Sequence, residues 1–363
     1  MQTKIINSIL ETRQGKEADA ILRRCVHCGF CNAVCPTYQL FNNELDGPRG
    51  RIYLVKQLLE GADVSSTTQH HLDRCLLCRS CETTCPSGVE YSRLAELGKH
   101  LINKQVTRST LNNVYRAILA HILPRRSVMN FLLLLGRAVK FSLPPTLQNQ
   151  LSLPRKVLPF PRPRHTRKIL LLEGCIQSGI APAIDASLAR VLDRIGLSVQ
   201  LERQIECCGA VEHHLDYQQR ALHRIKANID KCWPHIEAGV ESIVMSASGC
   251  SLMLKDYAYL LQDEQEYSEK ARQISTKIVD IVEILQSQDL GELQPVNVSK
   301  SISYHAPCTQ QHGLTLPSQV KTLLLGLGFR MAPVGDSHLC CGSAGTYSLL
   351  NPAISEKELC RYR

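Results

Sequence analysis

The chain has 363 residues, 17 cysteines and a formal charge of +9, a length that suits two or three domains with a sizeable core. A single Trp and few other aromatics argue against an aromatic platform for nucleic acid, and no run of 18 apolar residues is present to form a transmembrane helix. So many cysteines without a secretion signal point to reduced, metal-ligating thiols facing the cytoplasm, not to a disulfide framework.

Residues 1–24 mix charged residues with Ile5, Ile6, Ile9 and Leu10 at helical spacing, so the segment reads as a helix and not as a targeting peptide. Next comes the run Cys25-x2-Cys28-x2-Cys31-x3-Cys35-Pro36, repeated 50 residues later as Cys75-x2-Cys78-x2-Cys81-x3-Cys85-Pro86. This is the bacterial ferredoxin spacing, in which the cysteine before proline ligates the other cluster. The expected sets are therefore Cys25, Cys28, Cys31 and Cys85 for one [4Fe–4S] cluster, and Cys75, Cys78, Cys81 and Cys35 for a second. Zinc uses four ligands and has no need of a trailing Cys-Pro. Between the runs, Gly47-Pro48-Arg49-Gly50-Arg51 reads as a turn and 52–59 as a helix, and 94–106 is a helix after the second run. Arg49 and Arg51 are either donors towards cluster sulfurs or acidic neighbours, or solvated turn residues. Helical connections predict a helical two-cluster domain over 1–110, of the kind found in respiratory dehydrogenases, in place of a β-hairpin ferredoxin.

Residues 111–166 form a connector, apolar at 118–123 and 131–135 and proline-rich up to Pro163. No Asp or Glu lies between Glu96 and Glu173, a window with fourteen Lys and Arg, which leaves −5 for the remainder. The local basicity predicts a docking surface for an anionic membrane or a partner, with a helical hairpin packed on protein as the alternative.

From Arg167 strands and helices alternate: strands at 168–172, 197–201 and 242–245, helices at 181–195, 217–232 and 251–261. That order predicts a parallel α/β sheet, with ligands outside the carboxyl ends of its strands. Cys175 and Cys250 fall at such ends, and Cys207-Cys208-Gly209 lies in the turn after another strand. The pattern recurs with Cys308 and Cys340-Cys341-Gly342, each Cys to Cys-Cys-Gly spacing being 32 positions. Two half-domains follow, over 167–290 and 291–363. The counterpart of Cys250 would stand at position 383, so the second half is expected to lack its last strand and last cysteine. Cys175, Cys207, Cys208 and Cys250 form a candidate site for an iron–sulfur cluster or zinc, and Cys308, Cys340 and Cys341 an incomplete second one. Cys232 and Cys360 read as ordinary helix-face cysteines. The pairs His70-His71 and His213-His214 read as surface residues, and His305 and His312 flank Cys308. No P-loop, G-x-G-x-x-G or G-x-S-x-G is present, so neither a nicotinamide nor a flavin site is marked, and no catalytic residue is expected in this chain.

The two ferredoxin runs, the segment from Gly47 to Tyr53 and the two Cys-Cys-Gly half-domains together resemble the iron–sulfur subunits of glycolate oxidases (glycolate dehydrogenases) over essentially the whole chain. The same cysteine-rich domain type occurs in heterodisulfide reductase, lactate-utilisation and anaerobic glycerol-3-phosphate dehydrogenase subunits. That domain's fullest motif ends in C-x-x-C, whereas Cys250 is followed here by Ser251, Leu252 and Met253. The resemblance implies a subunit that passes electrons one at a time from a partner flavoprotein carrying FAD, where glycolate becomes glyoxylate, towards a quinone-type acceptor at the inner face of the cell membrane. The same role with lactate or glycerol 3-phosphate is one alternative. A non-redox zinc-binding interaction protein is another.

Overall fold

The computed structural model describes residues 1–138, 156–291, 293 and 301–360. Its main helices in the first part are α1 (Arg13–Arg24), α2 (Pro48–Leu59), α3 (Ser66–Asp73), α4 (Tyr91–Gln105), α5 (Thr110–Ile122) and α6 (Arg126–Ala138). The second part runs β1 (Lys168–Leu172), α7 (Ala183–Arg194), β2 (Ser198–Glu202), α8 (Gln218–Glu237), β3 (Ser242–Val244), α9 (Ser248–Lys255) and β4 (Ile278–Val279). Then follow β5 (Ser301–Ser303), α10 (Gln319–Gly326), β6 (Arg330–Ala332) and α11 (Pro352–Leu359). Two compact units result. One comprises residues 1–115, 303–318 and 332–363, and the other 116–302 and 319–331.

In the first unit, helix α1 starts where the Thr12 hydroxyl accepts the Gly15 N–H at 3.0 Å, which satisfies one of the unpaired donors of the first turn. Its Ala18, Ile21 and Leu22 are buried at the i, i+3, i+4 spacing of one helical face, and Cys25 continues that face just past the helix end. Helix α2 begins with Pro48, pre-set for a first helical position, and buries Ile52, Val55, Leu58 and Leu59. These meet Leu94, Ala95 and Ile102 of α4 in one apolar cluster that also contains Cys25, Cys75 and Cys81. Each fully buried leucine there contributes about 1.5–3 kcal/mol. Three of the candidate ligands, Cys25, Cys75 and Cys81, are thus anchored in the core of the helical unit.

In the second unit, β1 is buried at four of its five positions, as its unbroken Ile-Leu-Leu-Leu requires of a strand covered on both faces. The sheet order is β2-β1-β3-β4, and every pair is parallel. The order reverses beside β1, which puts the carboxyl ends of β1 and β3 at a topological switch point. Strand β4 is too short to leave a sequence signature, with only Ile278 and Val279 paired to β3. The second Cys-Cys-Gly segment is built differently: β5 and β6 form a two-stranded sheet of their own. No residue of either strand is fully buried.

Helices α5 and α6 realise the apolar stretches of the connector, joined at a bend of 102°. No single helix among the described residues is long and apolar enough to cross a membrane. Leu111, Val114, Tyr115 and Ile118 lie along one face of α5, and Phe131, Leu134 and Leu135 along one face of α6, and all are exposed. Arg126 pairs with Glu173, and Arg137 donates to Gly179 O at 2.9 Å. Pro144, Pro145 and Pro154 of the expected linker lie outside the described residues. The histidine pairs depart from expectation. His70 and His214 are exposed, but His71 and His213 are buried, because adjacent helical positions point in different directions.

Candidate metal centre

The two ferredoxin runs fold into the same loop. His27 and Gly29 take φ values of 56° and 85°, and Leu77 and Arg79, at the matching offsets, 52° and 61°. A leucine and an arginine in the left-handed region are strained, and such conformations persist where surroundings over-determine them, typically at ligand clamps. Each loop then enters a single helical turn, Phe30–Ala33 or Ser80–Thr83. The winding gathers thiols around a hollow. One hollow, of about 430 Å³ including space open to solvent, is lined by Cys25, Cys28, Cys31, Cys81 and Cys85. The other, of about 390 Å³, is lined by Cys35, Cys75, Cys78 and Cys81. The cysteine before each proline therefore reaches the opposite hollow, as the ferredoxin rule requires. Among the described residues no three cysteines have their sulfurs all within 4.8 Å of one another. That separation suits thiolates spread over the corners of a cluster better than four ligands on one ion. The donor set, the strained loops and the hollows all fit a cubane at each place.

The electrostatics of the two hollows differ. Burial and the neighbouring Cys25, Cys85 and Cys28 push the Cys31 thiol up to about 11. Burial pushes Cys78 and Cys81 well above the ordinary thiol value, with Cys308 the next contributor at Cys78 and Cys78 at Cys81. Burial acts the same way on Cys75, but Arg51, Lys99, the Leu77 N–H and the Tyr91 hydroxyl outweigh it and bring that thiol below its ordinary value. Two of these are donors to its sulfur, the Leu77 N–H at 3.5 Å and the Tyr91 hydroxyl at 3.6 Å. The Gly-Pro-Arg-Gly-Arg segment, expected as a turn, is instead the start of α2, because Pro48 suits a first helical position, and its two arginines separate here. Arg49 is partly exposed and bound to Glu44, whereas Arg51 is buried beside the second hollow.

Cys175, Cys207, Cys208 and Cys250 come together at the carboxyl ends of β1 and β3. Their thiols touch in sequence, Cys175 to Cys207, Cys207 to Cys208 and Cys208 to Cys250. Hydrogen bonds from Cys175 and Cys208 hold Cys207 well below the ordinary thiol value, and Cys175 and Cys208 are raised in turn. Four adjoining thiols, with Cys207 favoured as the anionic one by its two thiol donors, make a donor set that suits a soft metal. The adjacent pair sits on a turn that Gly209 makes at φ 94°, donating its N–H to Cys207 Sγ at 3.4 Å. Sequence reasoning missed the two buried residues that pin this turn. Asn228 donates to Cys207 O at 2.8 Å and to the Tyr257 hydroxyl at 3.0 Å, and Tyr257 donates to Cys208 O at 2.8 Å. A polar Asn on the otherwise apolar inner face of α8 was their only sequence signal. Cys232 is buried in the same core, and Cys360 is exposed.

Cys308 and Cys340 approach to 3.7 Å between sulfurs. Hydrogen bonding from Cys340 holds Cys341 down to about 5. Cys340 is buried with Leu76 and Tyr347, and Cys78 and Cys308 pack against the same cluster. The second Cys-Cys-Gly turn thus lies beside the second ferredoxin hollow. Tyr347 donates to Arg74 O at 2.9 Å, and Thr83 Oγ1 and His312 Nδ1 are 2.8 Å apart. His305 Nε2 is 3.1 Å from Leu339 O, which orients the ring next to the cysteine pair.

Known families match along the same lines. Residues 21–89 match the 4Fe-4S dicluster domain, and 169–255 and 302–361 match the cysteine-rich domain. The chain is 47% identical to the glycolate oxidase iron-sulfur subunit of Escherichia coli K12, over 98% of this chain and 88% of that protein. It is 28% identical to the probable glycolate oxidase iron-sulfur subunit of Bacillus subtilis 168, over 93% and 82%. It is 26% identical to lactate utilization protein A of Shouchella clausii, over 52% and 77%. No solved structure matches. Two cysteine-lined hollows, a thiol chain at a parallel-sheet switch point and a relative matched almost end to end place this chain in the family of glycolate oxidase iron–sulfur subunits.

Proposed function

We propose that this chain carries electrons from the oxidation of glycolate to glyoxylate at a partner flavoprotein towards a quinone-type membrane acceptor. The observation that carries the reading is the pair of identically wound loops, each closed by the other's Cys-Pro cysteine. Cys25, Cys28, Cys31 and Cys85 hold one [4Fe–4S] cluster, and Cys75, Cys78, Cys81 and Cys35 the other. Bound there, the clusters supply one-electron steps that split the two-electron chemistry of a flavin. Cys175, Cys207, Cys208 and Cys250 hold a further iron–sulfur centre or a zinc ion, and FAD belongs to a partner. The protein's own contribution is to bury the thiols, direct donors at their sulfurs and set the local charge. The exposed apolar faces of α5 and α6, in a segment without acidic residues, support peripheral association with the inner face of the membrane.

The test is anaerobic purification with iron, sulfide and zinc analysis, followed by turnover of the assembled complex with glycolate, lactate and glycerol 3-phosphate. About eight or more irons per chain are expected from two cubanes. Cys81→Ser should leave glycolate-dependent flavin reduction in the partner intact and abolish acceptor reduction. Fewer irons with bound zinc, or normal acceptor reduction by the variant, would refute the reading. Sedimentation with anionic vesicles at low salt checks the membrane association.

A further inference from the structure

The two ferredoxin hollows share a ligand pattern but differ in buried charge. Arg51 is 1% exposed. It lines the hollow of Cys35, Cys75 and Cys78, whereas Arg49 lines the other. The Arg51 guanidinium is fixed by Nε donating to His71 O at 2.8 Å and Nη2 donating to Thr37 Oγ1 at 3.0 Å. Thr37 Oγ1 is itself 3.4 Å from Cys35 Sγ. The neighbouring charges are Asp46, 3.7 Å from Arg51, and Lys99, which donates to Cys75 O at 3.3 Å. Asp46 also accepts from Arg74 at 2.8 Å and lies 2.9 Å from His71 Nδ1. One carboxylate is thus shared between two arginines, and a positive charge is left over beside Cys75 and Cys35.

Among the described residues that line it, the first hollow has no buried arginine or lysine. Arg49 is bound through two nitrogens to a partly exposed Glu44, at 3.1 and 2.7 Å, where water screens it. The Met1 ammonium, donating to Cys25 O at 3.0 Å, is only half-buried. Val26 and Phe30 of that loop are 68% and 61% exposed, which gives a partner access to this side.

Reducing a cubane adds one negative charge. Burial makes that charge costly, and a buried cation offsets the cost far more than an exposed one does. We propose that Arg51 sets the direction of electron flow, by raising the reduction potential of the cubane on Cys75, Cys78, Cys81 and Cys35 above that of its neighbour. With a cubane held in each hollow, an electron entering at the exposed one would pass downhill to the one beside Arg51. One cluster is oxidised, the other is reduced, and no bond or proton is exchanged. The electron comes from substrate oxidation on the partner. This rests on the eight-ligand reading above, and Arg51 acts as a positioning residue through charge.

The test is an anaerobic redox titration of the full-length protein followed by electron paramagnetic resonance. Cys35→Ser and Cys25→Ser identify which signal belongs to which cluster. In the wild type, the signal altered by Cys35→Ser should have the higher potential, and the opposite order overturns the proposal without any change at Arg51. In Arg51→Met, that signal should lose at least tenfold in its reduced-to-oxidised ratio at fixed ambient potential. For a one-electron couple this corresponds to about 59 mV. The other signal should stay in place, and Arg51→Lys should restore most of the shift. Equal shifts in both clusters, or none in Arg51→Met with both clusters present, would overturn it. Loss of iron below about eight in the wild type would instead defeat the two-cubane reading.

Discussion

The two Cys-Cys-Gly segments carry the same cysteine spacing and rest on different supports. In the first, the thiols sit at the end of a four-stranded parallel sheet in which β1 is buried at four of its five positions. In the second, two short, partly exposed strands form a sheet, and the cysteine turn is held by Leu76, Tyr347 and the helix α11 behind it. A cysteine motif can therefore keep its local turn while the packing that stabilises it is exchanged. Local geometry follows from a few bonded residues, whereas stability follows from what covers them.

The largest expected contrast lies in the strands. Leu171→Asp places an unpaired charge in the closed sheet and should destabilise the second unit by more than about 4 kcal/mol. The matching change Ile302→Asp in β5 should cost about 1 kcal/mol or less, because its site is half open to water. Limited proteolysis and thermal unfolding measure both. Equal sensitivity would mean that β5 is buried in the working protein.

The turns should differ in the opposite sense. A Cβ on Gly342, at φ 79°, would stand 2.8 Å from both Ser355 O and Glu358 Cβ. Gly342→Ala is expected to cost about 2–5 kcal/mol, the left-handed penalty together with overpacking against backbone. On Gly209, at φ 94°, the nearest atom would be a flexible Ile225 carbon at 3.3 Å. Gly209→Ala should cost only the conformational part, about 1–2 kcal/mol. A reversed order in thermal unfolding would show that α11 does not back the second turn in solution.

A narrower contrast concerns how the first turn is pinned. Tyr257→Phe leaves Cys208 O without its buried donor and should cost about 1–3 kcal/mol. Alkylation of Cys207 and Cys208 in the metal-free protein should become faster. Unchanged alkylation and stability would argue that Asn228 holds the turn unaided.

Much of the fold was legible beforehand. Strands β1, β2 and β3 fall within a residue of their expected starts, because short apolar or alternating runs bounded by glycine or polar turns have few other solutions. Helix α8 runs five residues past its expected end, to Glu237, and includes Pro234 in its last turns. Strand β4 was illegible, since two residues carry no period. The amphipathic patterns of α5 and α6 were visible, but their outward-facing apolar sides were not, because periodicity tells that a helix has two faces and not which of them meets water.

Spacing alone specified the eight ferredoxin cysteines as two interleaved sets, since ligand offsets are short-range and a cubane accepts few of them. It also specified the recurrence of the Cys-Cys-Gly turn. Neither the partition of Arg49 to solvent and Arg51 to the interior nor the burial of His71 against Asp46 could be read that way. Those depend on how α2 and α3 pack, because two arginines separated by one residue on a helix point about 200° apart. The charge around each hollow is therefore a property of the packed helices, although the cysteines that line it are a property of the chain.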